Sequence, residues 1–211
     1  MPTLIRKDLG VPVFVVNSET ETEAYYPSRQ PDTDRFRFWE VAGTSHVNVA
    51  REAVGSAEGM KNPNWLSYRP VYGAALRHMH VWLKDGTPPP VMPRIETIAG
   101  DGNSVMVKRD ARGNAVGGVR LPDLAVPTAE HRGRGTPVPG GSRFAFLYGY
   151  SREFTAEELA ELYPDREAFV TKYDEALEGA VDAGVVLVED GPALLEAAEK
   201  WAGEHLESRD R

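Results

Sequence analysis

Two carboxylates and a histidine lie just after two apolar segments in the first quarter of the chain. Glu19 and Glu21 follow the apolar run Val11–Val16, and His46 follows the aromatic segment Arg35–Val41. When a carboxylate holds one ring nitrogen of a histidine, the other nitrogen can take the proton of a serine hydroxyl. These residue types predict the acid and base of a Ser-His-acid triad, with Glu21 as the acid, Glu19 as the competing acid and His46 as the base.

The two apolar segments predict neighbouring parallel strands. The first is almost continuously apolar, as in a strand buried on both faces, whereas the second mixes charged residues with Phe36, Phe38 and Trp39. About twenty residues separate the segments, which is enough for the crossover that parallel neighbours require. Because the carboxyl ends of parallel strands share one crevice, the 25-residue spacing from Glu21 to His46 can bring both side chains together.

Hydrophobic periodicity predicts a long amphipathic helix over residues 72–84, which ends at Asp85-Gly86 and a run of prolines. Its apolar stripe is expected to comprise Tyr72, Ala75, Leu76, Met79, Trp82 and Leu83. A shorter helix is expected at residues 45–54, directly after the turn that carries His46.

The middle of the chain shows little helical signal. Short strands are expected at residues 94–98 and 105–109, and a turn at residues 110–114 predicts a hairpin. Residues 121–141 contain four prolines and four glycines, so they are expected to run irregularly over the surface. Residues 117–127 could line a substrate pocket or simply form a surface crossover.

The last third of the chain is predicted to be helical. Thr155-Ala-Glu-Glu158 is a capping box that opens a short helix ending near Tyr163-Pro164. A second helix carries Phe169, Tyr173, Leu177 and Val181 on one side and ends at Gly184. Asp190 or Gly191 is expected to cap the last helix, with Pro192 in its first turn.

Composition restricts the function classes. The 211 residues carry a net charge of -8 and no cysteine, which excludes disulfides, cysteine nucleophiles and Cys-ligated zinc. No basic face is evident, so we expect no nucleic-acid partner. No apolar run approaches the length of a membrane span, and the start of the chain has no signal-peptide core. We therefore expect no membrane partner and a cytoplasmic location.

Several stretches resemble signature segments of a bacterial family of α/β-hydrolase-domain proteins. They are residues 12–21, 37–46, 82–89, 113–122 with Val126-Pro127, and Leu162-Tyr163-Pro164. The resemblance covers essentially the whole chain and implies an α/β fold. It also implies a serine hydrolase that acts on small ester-like substrates, with the chain corresponding to the C-terminal half of such a protein.

The expected architecture is a partial α/β-hydrolase fold, with the last parallel strands, an irregular insertion and C-terminal helices. We expect one domain over residues 1–211. Residues 1–90 would supply strand and helix units with the acid and the histidine, residues 91–150 a loop- and strand-rich segment, and residues 151–211 a helical segment.

The sequence does not contain the nucleophile that such a triad would serve. No Gly-x-Ser-x-Gly elbow occurs, and Ser45, Ser56 and Ser142 lie beside glycines without a strand-turn-helix context. Three interpretations follow: a hydrolase portion whose nucleophile is supplied from elsewhere, a non-catalytic truncated or pseudoenzyme module that binds a partner or small molecule, or an enzyme using general acid-base chemistry alone. Under the first two, the open edge of the first strand is expected to pair with an N-terminal half or another copy.

No cofactor or metal site is expected. His78 and His80 lie two residues apart on a predicted helix, so their side chains point in different directions and do not suit a shared metal. His131 and His205 have no partner that the sequence reveals.

Overall fold

The computed structural model describes residues 2–51, 62–135 and 143–206. Its strands are β1 (Val13–Ser18), β2 (Phe36–Val41), β3 (Thr97–Ala99), β4 (Val105–Val107), β5 (Ala129–Arg132) and β6 (Tyr150–Glu153). Its α-helices are α1 (Thr22–Tyr25), α2 (Arg69–Asp85), α3 (Pro122–Ala125), α4 (Ala156–Leu162), α5 (Arg166–Asp182) and α6 (Gly191–His205).

β1 and β2 form the predicted parallel pair, in register from Val13 opposite Phe36 to Ser18 opposite Val41. Burial differs from the expectation, because β2 is almost wholly buried and β1 is only half-buried. The reason is that β2 has neighbours on both sides: Val119 exchanges backbone hydrogen bonds with Glu40 and Ala42 along its second edge. In the described part of the chain, β1 pairs with β2 alone.

α2 confirms the predicted helix, but its predicted apolar stripe is only partly correct: Ala75 and Trp82 are buried, whereas Tyr72, Leu76 and Leu83 are exposed. The buried side chains are Val71, Ala74, Ala75 and Trp82. Leu76 and Leu83 are 72% and 61% exposed. The helix is turned so that His78, next to the buried row, lies edge-to-face with Trp39 of β2, which leaves much of the expected stripe in solvent.

The short helix predicted for residues 45–54 is not present at residues 45–50, where the chain is irregular. Ser45 donates a hydrogen bond to the carbonyl of Val47, and Val47 N–H donates to Leu147. The local side-chain bond of Ser45 and the long-range bond from Val47 N–H replace the backbone bonds that a helix would make. Residues 52–54 lie outside the described residues.

The middle segment packs against the parallel strands. β3 and β4 form an antiparallel hairpin, and the predicted turn at residues 110–114 closes with a bridge between Arg109 and Ala115. The expectation of an irregular surface crossover over residues 121–141 is wrong for the part that the structure describes. α3 and β5 form there, and Leu121 and Leu124 are core residues. Residues 136–141 lie outside the described residues.

The three C-terminal helices confirm the sequence prediction. The capping box of Thr155 and Glu158 is present in full, and Asp165 caps α5 through Ala168 N–H. α5 buries Phe169, Tyr173 and Leu177. α6 begins at Gly191. It buries Ala198 and Ala202 in the same apolar cluster as Phe169 and Tyr173 of α5. None of the described helices is both long enough and apolar enough to cross a membrane.

Candidate active site

The turns after β1 and β2 hold the candidate acid and base. Ser18 caps a single 3-10 turn, Glu19–Glu21, through a bond from Thr20 N–H to its hydroxyl. The turn after β2 requires glycine at position 43. Its φ is +75°, and a Cβ there would lie 2.6 Å from a methyl carbon of Leu124.

The structure brings Glu21 and His46 into direct contact. Nδ1 of His46 lies 2.6 Å from Oε1 of Glu21. The second carboxylate oxygen, Oε2, accepts a 2.6 Å hydrogen bond from the hydroxyl of Ser18. This leaves Nε2 of His46 as the ring nitrogen without a hydrogen-bond partner among the described residues, and the His46 side chain is 55% exposed.

The backbone of His46 is also held in place. Its N–H donates to Oγ1 of Thr20 at 2.9 Å, while its carbonyl accepts from the hydroxyl of Tyr68 at 3.2 Å. Thr20 Oγ1 in turn donates to the carbonyl of Gly133. The imidazole is therefore positioned at both its ring and its main chain.

Glu19 lies in a different environment from Glu21. Its side chain is 1% exposed, and its oxygens accept from Arg109 at 2.6 Å, Gly43 N–H at 2.7 Å and Gly133 N–H at 2.9 Å. Among the described residues, no hydrogen bond or ion pair joins the Glu19 side chain to His46. The Glu19 carboxylate links the turn at Gly43 to Arg109 and Gly133. Its role is therefore structural.

A cleft of about 300 Å³ lies beside the Glu21–His46 pair. It is lined by Val16, Asn17, Ser18, Glu21, His46, Tyr68 and Tyr72. The rings of Tyr68 and Tyr72 lie 4.9 Å apart, and the Tyr72 hydroxyl donates to the carbonyl of Val16. Burial, with a contribution from the Glu21 charge, raises the pKa of both phenols, so both stay neutral hydrogen-bonding groups.

Two serines near the Glu21–His46 pair have hydroxyl groups that are already hydrogen-bonded. Ser45 is fully buried and donates to Val47, and Ser18 donates to the candidate acid. Ser56 and Ser142 lie outside the described residues. The sequence analysis missed Ser18, Thr20 and Tyr68 as residues that position Glu21 and His46. For Ser18 a signal existed, since a serine directly before an acidic turn is a helix-cap pattern.

The remaining histidines occupy separate environments. Nε2 of His78 is 2.8 Å from the carbonyl of Gly184, and His80 is exposed. His131 is buried, with Nδ1 2.7 Å from the hydroxyl of Ser151, a partner that the sequence did not reveal. Burial lowers the pKa of His131 to about 3, so its imidazole is neutral. In the described ranges, no cluster of three histidine or acidic side chains could hold a metal ion.

Comparison with known proteins identifies a family. No curated protein and no solved structure matches the chain. A family model described as "Alpha/beta hydrolase domain" matches residues 1–196 and thus nearly the whole sequence. The parallel strands with the facing acid and histidine are in keeping with that match, which suggests a hydrolase-type function. The chain belongs to the alpha/beta hydrolase domain family.

Proposed function

We propose that this chain supplies the acid, Glu21, and the general base, His46, of an ester hydrolase with a Ser-His-Glu triad. The 2.6 Å contact between Glu21 Oε1 and His46 Nδ1 carries the proposal. The two groups follow the carboxyl ends of adjacent parallel strands, which is where α/β sheets bind their ligands. The free Nε2 of an exposed imidazole is the atom that would receive the serine proton.

The roles of the side chains follow from this geometry. Glu21 accepts the Nδ1–H of His46, fixes the tautomer with a free Nε2, and stabilises the imidazolium that forms. Nε2 takes the serine proton as the serine oxygen bonds to the ester carbonyl carbon, and then returns it to the departing alkoxide. Water attacks the acyl-enzyme by the same route, releasing the carboxylic acid. Ser18 keeps the carboxylate of Glu21 oriented throughout.

The serine itself is proposed to come from another polypeptide segment. The sequence has no Gly-x-Ser-x-Gly, and Ser45, which lies next to His46, is buried and bonded to Val47. β1 carries Glu21 at its end and has one unpaired edge among the described strands. A strand added to that edge would end beside the Glu21–His46 pair, which is where a nucleophile is needed.

The acid-base contact can be tested on the chain alone by NMR of ¹⁵N-labelled histidine. A short hydrogen bond to a carboxylate moves the Nδ1–H proton of His46 strongly downfield, and Glu21→Gln should remove that shift. Glu23→Gln is the matched control, because Glu23 lies in the next turn and bonds Val107 N–H instead. An unchanged His46 spectrum in Glu21→Gln would contradict the assignment of the acid.

The chemistry can be tested with a fluorophosphonate reagent, which labels activated serines, and with p-nitrophenyl esters. We expect the purified chain to be neither labelled nor active. Co-expressed with a polypeptide that carries Gly-x-Ser-x-Gly, it should give an esterase whose labelled serine lies on that polypeptide. Glu21→Gln should lower kcat by about 10⁴-fold, as loss of a triad acid does in serine proteases. Labelling of Ser45, or hydrolysis that survives His46→Gln, would overturn the proposal.

A second candidate function is a non-catalytic module that binds a partner protein. The observation that favours it is the exposed apolar face of α2, where Leu76 is 72% and Leu83 is 61% exposed. This face lies on the helix whose Tyr72 contacts the outer edge of β1. A complex that forms equally well with His46→Gln and never hydrolyses esters would favour this second function over the first.

A further inference from the structure

A second cavity, of about 690 Å³, lies among the starts of α2 and α6, the segment before α2, and α3. It shares no lining residue with the Glu21–His46 cleft. Trp65, Leu66, Leu187 and Leu194 give it apolar walls. Its volume is within the range of sites for small organic molecules, and half of its fourteen lining residues are polar or charged.

His131 supplies a buried hydrogen-bond donor to this cavity. It is 3% exposed and belongs to the lining. The buried hydroxyl of Ser151 has no acceptor other than His131 Nδ1 within the described ranges, so the serine donates and the ring proton lies on Nε2. No described residue accepts a hydrogen bond from that Nε2–H, so it is available to an acceptor on a ligand in the cavity.

Three charged residues of the lining lack an ion-pair partner where the structure describes the chain. They are the exposed Arg69 at the start of α2, Asp190, which precedes α6, and Asp123, whose Oδ2 accepts a hydrogen bond from the Tyr173 hydroxyl at 3.2 Å. The other arginine of the lining, Arg51, is paired with Glu153 and lies over the Trp65 ring. Burial raises the pKa of Asp123, which favours its neutral form, so the charges that the cavity offers to a ligand are the positive charge of Arg69 and the negative charge of Asp190.

Gly73 also lines the cavity, and its lack of a side chain leaves space there. It lies inside α2, where glycine costs about 1 kcal/mol relative to alanine. A Cβ at this position would be 3.7 Å from Asp190 Oδ2 and 3.7 Å from Leu187 Cδ1, so alanine would fit. The missing methyl group leaves room directly beside the Asp190 carboxylate.

We propose that this cavity binds a small zwitterion with an apolar side chain, the chemical class of free apolar amino acids. The ligand carboxylate bonds Arg69 and the Nε2–H of His131, and the ammonium group bonds Asp190. The apolar side chain lies against Trp65 and Leu194. This site shares no lining residue with the Glu21–His46 cleft. A test of ligand binding here is therefore independent of the proposed hydrolase function.

Calorimetric titration of the full chain with L-phenylalanine tests the proposal. Two analogues, 3-phenylpropanoate and 2-phenylethylamine, each lack one charged group and should bind at least about tenfold more weakly, since each loses a charge-assisted hydrogen bond. Arg69→Gln should weaken L-phenylalanine about tenfold and leave 2-phenylethylamine unaffected. Asp190→Asn, which keeps a good helix-cap residue, should weaken L-phenylalanine and leave 3-phenylpropanoate unaffected.

Gly73→Ala separates binding from folding. The variant should melt at a higher temperature than the wild type, yet bind L-phenylalanine more weakly because its methyl group takes the space beside Asp190. His46→Gln should bind like the wild type. Saturable binding of 3-phenylpropanoate as tight as that of L-phenylalanine would show an anion site and overturn the proposal. The absence of saturable binding at millimolar L-phenylalanine would overturn it as well.

Discussion

Two glutamates of one short turn differ sharply in their surroundings. Glu21 has a 23% exposed side chain and contacts His46, whereas Glu19 is buried and accepts hydrogen bonds from Arg109 and two backbone N–H groups. In a 3-10 turn, residues two apart project in different directions. One carboxylate therefore faces the cleft and the other faces the interior of the fold.

This difference predicts that the same conservative substitution costs more stability at position 19 than at position 21. Glu19→Gln should lower the free energy of unfolding by about 3 kcal/mol, because it leaves Arg109 without its partner in a buried site. Glu21→Gln should cost about 1 kcal/mol or less, as expected for a partly exposed pair. Urea denaturation measures both values. Equal losses in the two variants would contradict the structural role of Glu19.

At the scale of elements, β1 and α2 form an incompletely covered part of the described structure. β1 has one free edge, and the hydroxyl of Tyr72 satisfies a single carbonyl along it, that of Val16. The neighbouring face of α2 exposes Leu76 and Leu83. Open strand edges and contiguous exposed apolar side chains favour association with another chain.

We therefore predict that the isolated chain self-associates through this surface. Sedimentation equilibrium should show a mass that rises with protein concentration. The double variant Leu76→Glu/Leu83→Glu should shift the distribution towards monomer. Ile98→Glu is the control, because Ile98 is an exposed apolar residue of the β3–β4 hairpin. A monomeric wild type over the whole concentration range would contradict the prediction.

At the scale of the whole molecule, a buried neutral histidine couples folding to pH. His131 has an ordinary pKa of 6.5 in the unfolded chain, and burial lowers it to about 3 in the folded protein, with the nearby charge of Arg51 as a smaller cause. Between these values the unfolded state binds the extra proton. Stability is therefore complete above pH 6.5 and is lost as the pH falls towards 3.

The measurable consequence is the pH slope of unfolding. His131 contributes up to about 1.4 kcal/mol per pH unit inside this window. His131→Asn cannot titrate and offers an amide to Ser151, so its stability should be lower at neutral pH but fall less steeply in acid. Burial raises the pKa of Asp123 and Glu40, which acts in the opposite direction in both proteins, so the difference between the two slopes isolates His131. Identical slopes would contradict the prediction.

The sequence predicted those features that depend on local pattern. The parallel strands, the Thr155–Glu158 capping box and the stripe of α5 all follow from residues close to one another in the chain. The buried face of α2 was not predictable in the same way. Its side chains offer apolar groups around most of the helix, so only its contact with Trp39 selects the row that is buried.

Residues 121–135 show more clearly that tertiary packing cannot be predicted from local sequence pattern. Their prolines and glycines indicate irregular surface chain, yet Leu121 and Leu124 are in the core because the preceding segment runs along the second edge of β2. Pairing between strands almost eighty residues apart leaves no local trace in the sequence. The contact of His131 with Ser151 was not predictable either, because it depends on the pairing of β5 with β6 across a 20-residue separation.

The sequence by itself determined that a carboxylate and a histidine follow two neighbouring parallel strands, because apolar runs, turn residues and spacing are local properties. The tertiary structure decided that Glu21, and not Glu19, contacts His46, because Arg109 and the turns at Gly43 and Gly133 come from distant parts of the chain and hold Glu19 away. Only the folded chain brings Arg69, His131 and Asp190 around one cavity, because they come from separate segments that packing alone unites.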